Sequence, residues 1–89
     1  MAYSVQLSES ADWELTKLDA QPRRRILKFL HERVAKLDDP RSLGEARHGS
    51  QLGEFRKYRI GDYRLICEIE DNRLLVVVLR VGHREEIYR

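Results

Sequence analysis

Phe55-Arg56-Lys57-Tyr58-Arg59-Ile60-Gly61-Asp62-Tyr63-Arg64 is the stretch on which the fold of this chain turns. Gly61-Asp62 is a two-residue turn signal between alternating strand-like residues, so the stretch reads as a β-hairpin. A tight turn places Ile60 opposite Tyr63 and Arg59 opposite Arg64. Side chains alternate with a period of two, which puts Lys57 on the face of Arg59 and sends Tyr58 and Ile60 to the packed face. Like charges directly opposed on one sheet face cost roughly 0.2–1 kcal/mol. Such a cluster is better tolerated when something anionic sits on it. Phosphate is the natural candidate, and it points to nucleic acid.

Beyond the hairpin the alternation continues. Strands are expected over Glu54–Ile60, Tyr63–Glu70 and Arg73–Val81, with Asp71-Asn72 as the second tight turn. Leu65, Cys67 and Ile69 share one face of the middle strand; Arg64, Ile66, Glu68 and Glu70 share the other. Leu74–Leu79 is apolar on both faces, as a covered central strand would be. Before the hairpin, Tyr3–Leu7 reads as a first strand. Ser8 can cap a helix carrying Ala11, Leu15 and Leu18 at helical spacing, with Trp13 as further apolar bulk. Asp19 is a second cap, Pro22 fits the first turn after it, and Ile26, Leu27, Leu30, Val34 and Leu37 form the next stripe. Asp38-Asp39-Pro40 should end that helix. Arg41–Gly53 has three glycines, Gly44, Gly49 and Gly53, and no period, and reads as a loop with a short helical turn. The expected architecture is a single α+β domain over residues 1–89, in the order β-α-α-β-β-β. A helical hairpin packs on one face of a small, largely antiparallel twisted sheet.

Composition narrows the function classes. At 89 residues the chain holds one modest core. Its longest apolar run, Leu74–Leu79, is far below the roughly 18 residues of a membrane span. The N-terminus lacks a signal-peptide pattern, so a cytoplasmic protein without membrane contact is expected. The single cysteine, Cys67, excludes an internal disulfide and reads as packing within a strand. His31, His48 and His83 have no metal-like spacing, so no metal site is expected. Net charge is only +2, so a basic footprint must be local. Arginine supplies 13 of the 17 basic residues and offers a planar fork suited to phosphate.

Lys57, Arg59 and Arg64 therefore belong on the face away from the helices. The ending Val81-Gly82-His83-Arg84-Glu85-Glu86-Ile87-Tyr88-Arg89 adds His83, Arg84 and Tyr88. Simple alternation from Val81 does not bring Arg84 to the Lys57 face, so a kink or bulge at Gly82 is needed. The competing reading takes all of these as ordinary solvated charges, neutralised in part by Asp62, Glu68, Glu70, Glu85 and Glu86. Arg23-Arg24-Arg25 opens a helix and reads as an exposed face. His31 reads as a surface residue.

The run FRKYRIGDYRLI, the following LLVVVLRVGHREEIY and the opening YSVQLS together resemble the RelE/ParE superfamily of bacterial type II toxins. Within it the chain is most similar to the RelE-like mRNA interferases. That resemblance implies a ribosome-dependent endonuclease that cuts mRNA in the A site of the 70S ribosome, without a metal or other cofactor. The 2′-hydroxyl attacks the adjoining phosphodiester and leaves a 2′,3′-cyclic phosphate and a 5′-hydroxyl. It also implies roles: Lys57 helps activate the 2′-hydroxyl, Arg59 and Arg64 clamp the phosphate, Arg84 assists at the leaving oxygen, and Tyr88 stacks on a base. His83 is the candidate acid where a carboxylate–histidine pair replaces lysine chemistry. Arg56, Tyr58 and Arg89 are expected RNA contacts. Crowding by other cations would favour a neutral Lys57, which suits a base.

Preorganised cations aimed at phosphoryl oxygens make those roles physically reasonable. The resemblance further implies a cognate RelB-like antitoxin, acidic and partly disordered, with operator DNA contacted only through it. Two rivals share the scaffold: a ParE-like gyrase inhibitor, and a domain without toxicity that serves only as an antitoxin partner.

Overall fold

The computed structural model describes residues 3–47 and 54–83. Strand β1 (Ser4–Leu7) leads into helix α1 (Glu9–Thr16) and then helix α2 (Ala20–Glu32). Strands β2 (Glu45–Arg47), β3 (Glu54–Ile60), β4 (Tyr63–Glu70) and β5 (Leu75–His83) follow. Among the described residues they form one five-stranded sheet in the order β1-β5-β4-β3-β2. The β1–β5 pair is parallel and the other pairs are antiparallel. Both helices cover one face: Ala11, Leu15, Ile26 and Leu30 join Tyr58, Leu65, Cys67, Ile69, Val76, Val78 and Val81 in the buried core. The α+β architecture expected from the sequence is present, with one more strand than the pattern announced.

Local chemistry explains the element ends. Ser8 caps α1 by accepting the Ala11 N–H on its Oγ at 3.0 Å, which satisfies one of the helix's orphan donors. Asp19 occupies the cap position of α2 without a side-chain cap bond. That helix stops at Glu32, short of the expected Asp38-Asp39-Pro40, and Val34–Lys36 tightens into a 3-10 turn. Val34 still reaches the core, fully buried, because the tighter turn turns it inward. Trp13 does not add to the core. It is 62% exposed on α1, with Lys17 Nζ lying 4.8 Å from its ring.

The β3–β4 hairpin has the expected register, Ile60 opposite Tyr63 and Arg59 opposite Arg64. Gly61 takes φ +59 there, a conformation glycine adopts cheaply. The β4–β5 connection is longer than a two-residue turn. Asp71–Arg73 forms a 3-10 turn and Leu74 follows with φ +47, so β5 begins at Leu75 rather than Arg73. Strand β5 then carries a bulge. Ile66 pairs with Arg80 and Cys67 with Val78, which leaves Leu79 over. The extra residue lies here and not at Gly82, which stays in register opposite Arg64. The physical reason is the core: Val78 and Val81 are both buried, and only an added residue lets positions three apart face the same way.

Candidate functional site

The segment before β3, expected to be loop, contributes two things. Pro40–Ser42 forms the short helical turn, and β2 pairs along β3 with Glu45 beside Lys57. Two β3 side chains, Arg56 and Tyr58, hold this segment. Arg56 donates from Nε to the Leu43 carbonyl at 3.0 Å, and from Nη2 to the carbonyls of Arg41 and Gly44. Tyr58 Oη donates to the Pro40 carbonyl at 2.7 Å, and burial pushes its phenol well above the usual range. Gly44 sits at φ +81, where an added Cβ would lie 2.5 Å from the Lys57 carbonyl oxygen. Arg56 and Tyr58, expected as RNA contacts, are thus committed inward. Arg56 is a clamp on backbone carbonyls, and Tyr58 is completely buried with its ring edge-on to Phe29.

Lys57, Arg59 and Arg64 do share the face away from the helices. Lys57 stands in a row with Ile66 and Arg80, and Arg59 in the next row with Arg64 and Gly82. Their environments differ. Lys57 is largely covered, its side chain 12% exposed, and its Nζ lies 3.6 Å from the Glu45 carboxylate. Arg59 is exposed and also lines a groove against α2 with Arg25, Lys28 and Arg33. Arg64 is 5% exposed, and its Nη1 donates to the carbonyls of Gly61 and Tyr63 at 3.0 Å each. Those two bonds fold the guanidinium over the hairpin turn. Its Nε is buried with no hydrogen-bond partner. A buried donor left unsatisfied costs about 1–3 kcal/mol, more when charged.

His83 does not join them. It follows Val81 and Gly82 in alternation and pairs with Tyr63, in the row of Ile60, on the helix-covered side. Its ring packs edge-on against Tyr63, with centroids 5.8 Å apart. The expectation of His83 as an acid beside the cations is corrected by that alternation. Arg84, Tyr88 and Arg89 lie outside the described residues.

Glu45 was not singled out in the sequence, because three residues, Glu45–Arg47, are too short to show a period. Among the described residues, no group of three or more His, Cys, Asp or Glu side chains is placed to hold a metal. Cys67 is buried and free, and desolvation pushes its thiol far above the usual range, so it is an inert packing residue. No described helix is long and apolar enough to cross a membrane.

Comparison with known proteins agrees with this arrangement of sheet and helices. Residues 5–88 match the family of ParE toxins of type II toxin–antitoxin systems, parDE. The chain is 33% identical to toxin RelG of Mycobacterium tuberculosis over 89 residues, 100% of this chain and 99% of that protein. It is also 33% identical to the mRNA interferase toxin RelE of Escherichia coli over 90 residues, covering 99% of this chain and 92% of RelE. Among solved structures, the toxin–antitoxin complex RelBE2 of M. tuberculosis gives a TM-score of 0.82 at 28% identity, over 94% of this chain and 93% of the matched one. The intact E. coli RelBE complex gives 0.70 at 25% identity, over 92% and 96%. A family match over residues 5–88 and two Rel toxins at 33% identity lead to one assignment: the chain belongs to the RelE/ParE superfamily and is a RelE-like toxin of a type II toxin–antitoxin system.

Proposed function

We propose that this toxin is a ribosome-dependent mRNA endonuclease acting in the cytoplasm, cutting A-site codons without a metal. The observation that carries the reading is Arg64, a nearly buried guanidinium with an unsatisfied Nε, directly opposite exposed Arg59 and one row from Lys57. In the reaction the 2′-oxygen bonds to phosphorus as its proton leaves, and the P–O5′ bond breaks as the 5′-oxygen gains one. The products are a 2′,3′-cyclic phosphate and a 5′-hydroxyl. Arg59 and Arg64 hold the non-bridging oxygens as charge builds on them, which is where fixed cations act most strongly. Lys57 activates the attacking hydroxyl as an ammonium that stabilises the negative charge developing on the 2′-oxygen, and the Glu45 carboxylate, 3.6 Å from its Nζ, takes the hydroxyl proton. Arg84 at the leaving oxygen, Tyr88 stacked on a base and Arg89 against the RNA backbone complete the set on family grounds. The E. coli relative is an mRNA interferase, which supports mRNA cleavage by this chain.

The RelB-type antitoxins in the related complexes support a cognate antitoxin, acidic in its docking segment, that carries the toxin to operator DNA. Primer extension on mRNA from expressing cells should show cuts within codons, absent for Arg64→Ala. The matched family is described by its ParE toxins, which keeps gyrase inhibition as the second reading. Trapped gyrase with intact mRNA in parallel supercoiling assays would establish that reading instead.

A further inference from the structure

The β5 bulge decides what stands beside Arg64. Val78 opposite Cys67 and Val81 opposite Leu65 both face the helices because Leu79 is left over between them. A plain ladder through Leu79 would set Arg80 opposite Leu65 and Val81 opposite Arg64. That register would drive a guanidinium into the core and place a branched side chain against Arg64. Bulges leave backbone groups unpaired, and those groups need partners. Pairing of β1 with β5 ends at Leu7–Val78, so β1 supplies none further along.

Helix α1 supplies them instead. Ser8 Oγ donates to the Leu79 carbonyl at 3.1 Å. Glu14 Oε1 accepts the Val81 N–H at 2.8 Å. The same carboxylate takes Arg80 through Nε at 3.1 Å and Nη2 at 2.9 Å, which draws that cation toward α1.

We propose that Glu14 is a positioning residue for the phosphate-binding face: by holding the Val81 N–H it fixes the Leu79 bulge, and so sets Gly82 rather than Val81 beside Arg64. The inference rests on the endonuclease reading above. Gly82 has no side chain, so no branched group presses on the buried Arg64 guanidinium or displaces it from its place over the hairpin turn. The neutral amide of glutamine can still accept the Val81 N–H, whereas aspartate is one methylene too short and alanine accepts nothing.

The test compares Glu14→Ala, Glu14→Asp, Glu14→Gln and Arg80→Ala by two readouts. One is NMR of the free toxin, following Val81 amide exchange and the Arg64–Gly82 cross-strand contact. The other is single-turnover cleavage of mRNA on programmed ribosomes. Glu14→Ala should speed Val81 exchange, weaken the Arg64–Gly82 contact and lower the cleavage rate about tenfold or more with KM unchanged. Glu14→Asp should follow it, which covers the case of an alanine variant that does not fold. Glu14→Gln and Arg80→Ala should keep the Val81 amide protected and most of the rate. Wild-type cleavage by Glu14→Asp or Glu14→Ala, a Val81 amide still protected in them, or equal losses in all variants would overturn the proposal. A wild-type toxin that leaves ribosome-bound mRNA whole would refute the endonuclease reading alone, while the NMR arm still decides whether Glu14 sets the register.

Discussion

Arg64 and Tyr58 sit on adjacent strands, are both buried, and are buried for opposite reasons. Tyr58 donates its hydroxyl to Pro40 and fills the core, so Tyr58→Phe leaves a carbonyl unpaired. The expected loss is about 1–3 kcal/mol by urea unfolding, with cleavage per folded molecule unchanged. Arg64 is the reverse, since its buried Nε is paired with nothing. Replacing a poorly satisfied buried charge by an apolar chain of similar length is often neutral or stabilising. Arg64→Met removes that unpaired Nε but also takes the Nη1 donor from the Gly61 and Tyr63 carbonyls, so Tm should change little while cleavage falls about 10²–10³-fold, the scale of losing a transition-state charge partner. A parallel fall in stability and activity would mark Arg64 as structural. The sequence announced the Arg59–Arg64 opposition through Gly61-Asp62, because turn chemistry fixes register. It did not announce that Arg64 would be covered, since burial on that face depends on packing that period-two alternation does not encode.

Strand β2 is the element that sequence reading passes over, and it depends on one residue. Gly44 approaches β3 so closely that a methyl group would overlap the Lys57 carbonyl and the Tyr58 ring. Gly44→Ala adds that overlap to the strain of a left-handed backbone, about 1–3 kcal/mol from the backbone alone. Chemical denaturation should show at least that loss, with Glu45 moved away from Lys57. The bulge was half legible. Val76, Val78 and Val81 carry the change of spacing in plain sight, yet the glycine at Gly82 drew attention as the conformationally permissive site. What fixes the bulge at Leu79 is a contact 67 residues away in sequence, Glu14 to the Val81 N–H, which no local pattern records. Helix α2 likewise ends early because Val34 buries better from a tighter turn than its spacing implies.

At the scale of the whole molecule, a net charge of +2 conceals a strong local concentration. Arg25, Lys28, Arg33 and Arg59 line one groove with Glu32 as its one acid among the described residues, and Arg64 lies beyond it. An acidic antitoxin segment bound there should lose affinity as salt rises from about 0.1 M to about 1 M, because the screening length falls from about 10 Å to about 3 Å. Calorimetric titration at the two salt levels checks this, and equal affinities would exclude an electrostatic contact. Asp71 ties the start of the described chain to the Pro40–Ser42 turn. It accepts Arg41 in a two-pronged pair at 3.0 and 2.8 Å and the Tyr3 hydroxyl at 2.7 Å. The Arg41 fork first, and then Tyr3, hold its carboxyl below the usual carboxylate range. A depressed carboxyl stabilises fully above its unfolded value, roughly 3.9, and that contribution disappears as pH falls through the lower folded value. Asp71→Asn should thus lower Tm at neutral pH and flatten the acid limb of a Tm-against-pH profile.

Trp13 is the chain's one tryptophan, and its indole stands in water on the outer side of α1. Unfolding will barely alter its surroundings, so its fluorescence is a poor thermometer for this protein and circular dichroism the better one. The same isolation makes it a clean optical reporter of anything that settles on that helix. A blue shift on adding a tryptophan-free antitoxin segment would report contact with α1 without any label.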